Sequence, residues 1–204
     1  MKRQTGPNTF LRWLNRLVCR HWHRLSSQPV KLPDGPLILI GNHRCGLDPL
    51  LVQASVDRPL CFLMAREYYH GMLGMKWFFR SVGAIPVNPG GANRHALREA
   101  IEVLRNGGVL CVFPEGGANP VIPLKRILPG AAMLSLETAA PLMPFRVTGV
   151  WPFDHANIWK GLLRRCRASV QFGDLMDLET PNVDSKSAIR AGTKQVKRAL
   201  HALR

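Results

Sequence analysis

Short apolar runs alternate with longer amphipathic stretches along most of the chain. The runs have the length and residue content of buried strands, and they lie near 37–41, 60–64, 84–87, 108–113, 142–149 and 168–172. Helical spacing of apolar residues is found near 49–57, 67–79, 93–106 and 130–139, and again from about 184. This alternation predicts a single α/β domain, a sandwich whose mostly parallel central sheet is flanked by helices.

The first 33 residues follow a different pattern, with seven Lys or Arg and no Asp or Glu. Between Phe10 and Leu25 the apolar residues share one face of a helix, and the arginines fall on another. The apolar face comprises Phe10, Leu11, Leu14, Leu17, Val18, Trp22 and Leu25, and the arginines are Arg12, Arg16, Arg20 and Arg24. We expect residues 1–33 to form a basic amphipathic helix at an anionic membrane surface. The alternative is a helix packed on the protein's own core with a basic outer face.

Neither secretion nor membrane spanning is expected from this segment or from the rest of the chain. Arginines interrupt the N-terminal apolar stretch, and no small-residue cleavage site follows it. No segment offers 18 uninterrupted apolar residues, the length that a spanning helix needs. We therefore expect a peripheral protein on the cytoplasmic face of a membrane.

The formal net charge of +15 calls for an anionic partner. Anionic lipid surfaces, the phosphates of coenzyme A, an acidic acyl carrier protein and nucleic acid all fit this charge. The chain lacks an RNP-like aromatic motif, zinc-ligand spacing and a clear recognition helix, so nucleic acid is not expected. A basic nucleic-acid-binding protein nevertheless remains the alternative from another functional class.

The cysteines point to a reducing compartment and to no metal site. None of them forms a Cys-x-x-Cys or another metal-ligand spacing, and they are Cys19, Cys45, Cys61, Cys111 and Cys166. Such scattered thiols are typical of an intracellular protein.

Candidate chemistry follows the first predicted strand. His43 and Asp48 stand five positions apart, just after the apolar run 36–40, where an α/β fold opens its ligand crevice. A carboxylate can fix the tautomer of an imidazole, which then removes a proton from a substrate hydroxyl. The same spacing is also compatible with a polar loop in which Asp48 caps the helix beginning at Pro49.

Three further segments, taken with the His43-x4-Asp48 box, resemble known motifs. They are Gly83-Ala84-Ile85-Pro86-Val87-Asn88, Phe113-Pro114-Glu115-Gly116 and the Pro-rich strand Pro141–Val147. Over residues 36 to 150 the chain resembles the glycerolipid acyltransferase family of the lysophosphatidate acyltransferase type. The resemblance implies an acyltransferase domain over residues 34–204, which moves a fatty acyl group from acyl-CoA or acyl carrier protein to a lysolipid hydroxyl, with no cofactor and no metal.

The resemblance also implies roles for individual residues. His43 deprotonates the acceptor hydroxyl, Asp48 orients His43, and Glu115 belongs to the acceptor site. Backbone N–H groups near Gly116 could hold an oxyanion or a phosphate. The complete set of expected substrate-binding residues is Asn42, Arg66, Asn88, Arg94, Phe113, Pro114, Glu115, Gly116, Gly117 and Pro144.

Other nucleophiles have little support in the sequence. Cys45 lies inside the box, but at a position that the family leaves variable, and an incidental thiol is the favoured interpretation. An esterase that uses a serine is not favoured either, since the chain contains no Gly-x-Ser-x-Gly elbow.

Two departures from the family pattern bear on the acceptor. Pro89 and Ala118 stand where phosphate-acceptor members usually carry arginines, whose bidentate contacts neither residue can replace. Either Arg66 or Arg94 compensates, or the acceptor bears no such phosphate. Lysophosphatidate (1-acylglycerol 3-phosphate) is the default acceptor, and an amino-acid-based lysolipid is the alternative.

Overall fold

The computed structural model describes residues 7–71, 76–88, 93–117, 124, 126–151, 163–179 and 184–203. Within these residues the strands are β1 (Leu37–Gly41), β2 (Leu60–Ala65), β3 (Ala84–Val87), β4 (Val109–Val112), β5 (Leu142–Thr148) and β6 (Ser169–Phe172). The helices are α1 (Thr9–His21), α2 (Asp48–Ala54), α3 (Arg66–Gly71), α4 (Lys76–Ser81), α5 (Arg94–Arg105), α6 (Gly130–Thr138) and α7 (Ser185–Ala202).

The six strands form one sheet in the order β3-β2-β4-β1-β5-β6. Neighbours from β3 to β5 run parallel, and β6 pairs with β5 in the antiparallel direction at one edge. The expected mostly parallel α/β sandwich is confirmed. The predicted helix near 67–79 corresponds to α3 and α4, and residues 72–75 between them lie outside the described residues.

The central strand β1 separates two hydrophobic layers. Leu37 and Leu39 face a cluster that includes Leu51 of α2, whereas Ile38 and Ile40 face a cluster formed by the helices on the opposite side of the sheet. Those helices contribute Ala100 of α5, Leu134 of α6 and Val196 of α7. All five residues of β1 are buried, as a strand covered on both faces requires.

The N-terminal helix packs on α2 through its polar side. The side-chain amide of Asn15 donates to the carbonyl of Leu50 at 2.8 Å, and Arg16 donates to the carbonyl of Val56 at 2.9 Å. Arg12 reaches the carbonyl of Asp57 in the same way. The carbonyls that accept these hydrogen bonds belong to Leu50 within α2 and to Val56 and Asp57 beyond its end.

The apolar side of α1 therefore faces outward. Its exposed side chains are Phe10, Trp13, Leu14, Leu17 and Val18, with exposed fractions between 41% and 65%. A helix packed on the core with a basic outer face, the alternative from the sequence, is wrong for Arg12 and Arg16. We call the five exposed residues the α1 apolar face.

The predicted helix also ends earlier than Leu25. Helix α1 ends at His21, and Arg24 adopts a left-handed backbone conformation with φ 48°. The chain then runs beside Ala168. The N–H of Ala168 donates to the carbonyl of His23, and the N–H of Ser26 donates to the carbonyl of Ala168, each at 3.1 Å. Leu25 is consequently buried in the core instead of extending the apolar helix face.

No helix among the described residues is long and apolar enough to cross a membrane.

Candidate active site

The loop after β1 brings His43 and Asp48 into contact. Nδ1 of His43 lies 2.9 Å from Oδ2 of Asp48, and the carboxylate is fully buried at the start of α2. One fifth of the His43 side chain remains exposed. The predicted pair is therefore assembled, with a shielded carboxylate and an accessible imidazole.

The surroundings of Asp48 decide which His43 nitrogen carries the proton. Oδ2 also accepts hydrogen bonds from the backbone N–H of Arg44 at 2.5 Å and of Cys45 at 2.9 Å. A carboxylate only accepts, so Nδ1 of His43 must be the donor in their contact. Nε2 is then the nitrogen with the free lone pair, as a general base requires.

Stacked aromatic rings hold the plane of the imidazole. The His43 ring stacks on Phe113, with centroids 4.3 Å apart and planes 22° apart. Phe113 in turn meets Phe145 edge to face at 5.8 Å. Gly41 makes this arrangement possible, because a Cβ at that position would lie 2.2 Å from the Phe145 ring.

Glu115 ties the loop after β4 to the His43 loop. Its Oε1 accepts from the backbone N–H of His43 at 2.9 Å, and its Oε2 accepts from the N–H of Leu124 at 2.8 Å. Burial raises the pKa of Glu115, and the two N–H donors oppose this shift. In this arrangement the side chain positions the backbone of the base, and both of its oxygens are occupied.

The turn that carries Glu115 depends on Gly116. This residue has φ +75°, and a Cβ there would lie 2.5 Å from a methyl group of Leu128. Its N–H donates to the carbonyl of Phe113 at 3.1 Å, while buried Pro114 accepts from Leu128 N–H at 2.7 Å. The exposed Gly117 follows at the surface.

Strand register places several predicted residues in one row. Leu37 and Leu60 both pair with Val109, and counting six residues on from each of these three positions reaches His43, Arg66 and Glu115. All three residues therefore follow the carboxyl ends of neighbouring strands, at the same edge of the sheet.

Asn88 and Arg94 lie one strand further away. The pairing of Phe62 with Ala84 extends the same row to Asn88, which follows β3. The side chain of Asn93 accepts from the N–H of Asn88 at 2.6 Å and donates to its carbonyl at 2.8 Å. Arg94 begins α5 immediately afterwards and, like Arg66, is exposed.

Two predicted residues face the sheet instead of the crevice. Asn42 is buried, and its amide donates to the carbonyl of Val147 at 3.0 Å and accepts from its N–H at 2.8 Å. Pro144 is buried within β5, level with Ile40. The structure does not bring either side chain to the imidazole, and their role in binding substrate stays a prediction.

Arg44 is a candidate that sequence reasoning missed. Its Nε is buried and has no hydrogen-bond partner among the described residues. A buried donor without a partner is costly, and an anionic ligand beside His43 would satisfy it. The sequence signal that could have identified Arg44 is the presence of a cation directly after the base.

The thiols near the site are poor nucleophiles. Burial raises the pKa of Cys45, and the neighbouring Asp48 carboxylate raises it further, with Sγ 3.4 Å from Oδ1. Cys111 is likewise buried, and its pKa is raised for the same reason. Among the described residues, no group of three or more His, Cys, Asp or Glu side chains is arranged to hold a metal ion.

Comparison with known proteins gives a consistent result. The Acyltransferase family model matches residues 23–148, which is more than half of the chain. A probable 1-acyl-sn-glycerol-3-phosphate acyltransferase from Mycoplasma pneumoniae is 24% identical over 131 residues, covering 59% of this chain and 47% of that protein. The chain thus spans about half the length of this curated relative.

A solved structure shares the fold. The 1-acyl-sn-glycerophosphate (LPA) acyltransferase PlsC from Thermotoga maritima superposes with a TM-score of 0.63 at 22% identity. The match covers 95% of this chain and 79% of that one. The family resemblance drawn from the motifs is confirmed.

The pKa of Glu115 leads to a test of its half-buried position. A carboxyl group whose pKa is raised on folding takes up its proton first in the folded state, so ionised Glu115 costs folding free energy at neutral pH. This cost disappears as the pH falls through the raised pKa towards the ordinary value of 4.5. The change that Glu115→Gln causes in the free energy of unfolding should therefore be more favourable at about pH 7 than at about pH 4.5.

Urea denaturation of both proteins at the two pH values measures this difference. The same variant should lower kcat by about tenfold or more, because an amide NH2 group would face a backbone N–H and displace the His43 loop. Glu102→Gln, at an exposed position of α5, is the matched control and should change neither quantity. A stability difference that is independent of pH would contradict the buried, ionisable role of Glu115.

Proposed function

Because the chain belongs to the Acyltransferase family, we propose that it moves a fatty acyl group from a thioester donor to a lysolipid hydroxyl. The observation that carries the proposal is the contact of His43 Nδ1 with the buried Asp48 carboxylate, which leaves Nε2 as the base. Lysophosphatidate is the default acceptor. The probable function of the Mycoplasma relative supports this choice.

The proposed reaction is a direct transfer. Nε2 of His43 takes the hydroxyl proton as the acceptor oxygen attacks the thioester carbonyl carbon. The carbon–sulfur bond then breaks, and the departing thiolate takes the proton from the imidazolium. Asp48 stabilises the imidazolium that exists between these two steps. Both acyl-CoA and acyl carrier protein remain donors that fit the basic chain.

Glu115 acts in this proposal through His43. Since its two oxygens accept from the N–H groups of His43 and Leu124, it fixes the main chain that carries the base. A displacement of about 1 Å at a catalytic group can cost roughly a hundredfold in rate. We therefore describe Glu115 as a positioning residue, in addition to its expected place beside the acceptor.

The acceptor phosphate needs cations in place of the two missing arginines. Arg66 follows β2 at the same edge of the sheet as His43 and Glu115, and its long side chain is exposed. Arg44 directly follows the base in sequence, and its buried Nε has no hydrogen-bond partner among the described residues. Arg94 begins one strand further away, so we propose Arg66 and Arg44 as the principal phosphate contacts.

One observation favours a second class of acceptor, which bears no phosphate. Pro89 and Ala118 cannot make the bidentate phosphate contacts of arginine. An amino-acid-based lysolipid, which lacks that phosphate, would not require them. The two classes differ in their dependence on Arg66.

We further propose that the α1 apolar face rests in a membrane interface on the cytoplasmic side. Its five side chains point away from the core, while Arg20 and Arg24 are exposed nearby and can meet anionic headgroups. The occupant is a lipid surface because the exposed aromatic and aliphatic residues are accompanied by cations. The acceptor and product of the proposed reaction are lipids of that surface.

The role of His43 is tested by replacing it. His43→Ala should lower acyl transfer at least about a hundredfold, because a positioned general base contributes on the order of 10² to 10⁴ in rate. His95→Ala, at a side chain of α5 that is 88% exposed, is the control and should retain full activity. Activity is measured as product formed from a labelled thioester, with thermal denaturation to verify folding. A folded His43→Ala protein with most of its activity would overturn the mechanism.

The acceptor class is tested with Arg66→Gln. If the acceptor bears a phosphate, KM for lysophosphatidate should rise by roughly tenfold, equivalent to about 1.4 kcal/mol, whereas KM for a matched phosphate-free acceptor should not change. Arg198→Gln removes the same charge from an exposed position of α7 and serves as the control. Use of the phosphate-free acceptor alone by the unmodified protein would favour the second acceptor class instead.

Membrane docking is tested on the α1 apolar face. Leu14→Gln and Leu17→Gln should each weaken binding to phosphatidylglycerol vesicles by roughly tenfold, because each removes one apolar side chain from the lipid. Leu175→Gln is a matched control, since Leu175 is 47% exposed and Leu14 and Leu17 are each 41% exposed. Vesicle sedimentation measures the binding. Equal losses in all three variants would show that the α1 face has no special role.

A further inference from the structure

An exposed tryptophan on α4 has no partner among the described residues. Trp77 is 77% exposed, the largest fraction of any large apolar side chain that the structure describes. Among the other described tryptophans, Trp13 stacks on Phe10, and the indole N–H groups of Trp22 and Trp151 donate to backbone carbonyls. No described residue makes a hydrogen bond or a ring contact with Trp77. Its indole, with an apolar ring and a polar N–H, is therefore available to a partner outside the chain.

Helix α4 fixes the direction of Trp77. Phe79 anchors the helix, since it is buried and its ring centroid lies 5.8 Å from that of Tyr69 on α3. With 3.6 residues per turn, Phe79 points about 160° away from Trp77. Lys76 and Arg80 are exposed, and both fall within about 100° of Trp77 around the helix axis. The outward side of α4 thus presents one indole beside two cations, and we call Lys76, Trp77 and Arg80 the α4 surface.

The segment that carries the α4 surface has a positive net charge. Residues 66–81 contain three Lys or Arg and a single carboxylate, that of Glu67. Residues 72–75, which lie outside the described residues, are Met-Leu-Gly-Met and add no charge. No described carboxylate forms an ion pair with Lys76 or Arg80. These two cations therefore remain able to attract an anionic partner to the indole between the bulk solvent and the protein.

The α4 surface lies on the same side of the sheet as α1. The connections from β1 through α2 to β2, and from β2 through α3 and α4 to β3, both step towards the β3 edge. Parallel connections are right-handed, so two that step in the same direction lie on the same face. Helices α5 and α6 step the other way, and they pack on the opposite face with Ile38 and Ile40. Since α1 packs on α2, its apolar face and the α4 surface belong to one side of the molecule.

We propose that the α4 surface is a second membrane contact, in which Trp77 enters the interface of an anionic bilayer while Lys76 and Arg80 meet its headgroups. Indole rings are enriched at the boundary between headgroups and acyl chains, and each cation near an anionic lipid surface adds to the attraction. A lipid surface also fits the position of α4, because one bilayer can contact two surfaces on the same side of a protein. The inference rests on the proposed membrane docking of α1 and goes beyond it, since two separate contacts fix which side of the sheet faces the bilayer.

The side of the sheet that carries both contacts also carries the proposed base. Asp48 begins α2 on this side. The His43 ring stacks on Phe113, which packs against the hydrophobic cluster that contains Leu51 of α2. A bilayer held by α1 and α4 therefore faces the side of the molecule from which a lipid acceptor approaches His43.

Sedimentation with phosphatidylglycerol vesicles measures the contribution of the α4 surface to binding. Trp77→Gln should weaken binding by roughly tenfold, because it withdraws a large apolar ring from the lipid, whereas Leu175→Gln should not. The pair Lys76→Gln/Arg80→Gln should also weaken binding by roughly tenfold and reduce its salt dependence. Its matched control is Lys186→Gln/Arg190→Gln, an exposed Lys and Arg at the same spacing on α7, which should change binding by less than about twofold. Thermal denaturation verifies that each variant folds.

A fluorescent label tests immersion of the same position directly. All five cysteines are buried, so Trp77→Cys supplies the exposed thiol that a maleimide dye modifies. On vesicles the dye should shift to shorter emission wavelength and be quenched by nitroxide-bearing lipids. A dye at Lys194→Cys, exposed on α7 across the sheet, should show neither effect.

Three results would overturn the proposal: unchanged binding by Trp77→Gln, equal weakening by the two charge pairs, or equal quenching of the two dyes. If Leu14→Gln weakens binding and Trp77→Gln does not, docking through α1 stands and only the second contact fails. If the unmodified protein does not bind the vesicles, both contacts fail. Acyl transfer is not measured, so the catalytic part of the proposed function is judged separately.

Discussion

The structure around the proposed base depends on one buried carboxylate. Asp48 is removed from solvent, and a carboxylate in that position needs donors for its lone pairs. Oδ2 obtains them from the backbone of Arg44 and Cys45 and from the His43 ring. The fold of the six-residue loop between β1 and α2, the tautomer of the imidazole and the direction of its free nitrogen all follow from satisfying this one group. The same contacts that stabilise the loop therefore prepare its chemistry.

Helix α1 is oriented opposite to most amphipathic helices. Most amphipathic helices cover a core with their apolar side. Here the polar side faces inward, where Asn15 and Arg16 donate hydrogen bonds to the carbonyls of Leu50 within α2 and Val56 after it. The apolar side is left without a partner among the described residues. An exposed apolar surface of this kind marks an interaction site, and under the proposed membrane docking it would be an anchoring surface that is already attached to the core.

The sequence predicted the elements and contacts formed by residues close together along the chain, and it missed contacts between residues far apart. Buried strands such as β1 and β4 were recognised because each is a short apolar run followed by polar or glycine residues, and the His43–Asp48 contact spans only five positions. The hydrogen bond from His43 to Glu115 joins residues that are 72 positions apart, and no periodicity encodes it. The orientation of α1 was ambiguous for a related reason, since helical spacing separates two faces without revealing which one meets the core.

The sheet connects these distant features. Parallel strands bring their carboxyl ends to one edge, so His43 after β1, Glu115 after β4 and Arg66 after β2 all lie at that edge. If the α1 face rests on lipid, that edge is brought close to the membrane, and a lysolipid hydroxyl can reach His43 with little displacement from its layer. Under the proposed function, selection of the acceptor depends on which cations lie near the base, and we proposed Arg44 and Arg66 for this role because Pro89 and Ala118 cannot bind a phosphate as arginine does.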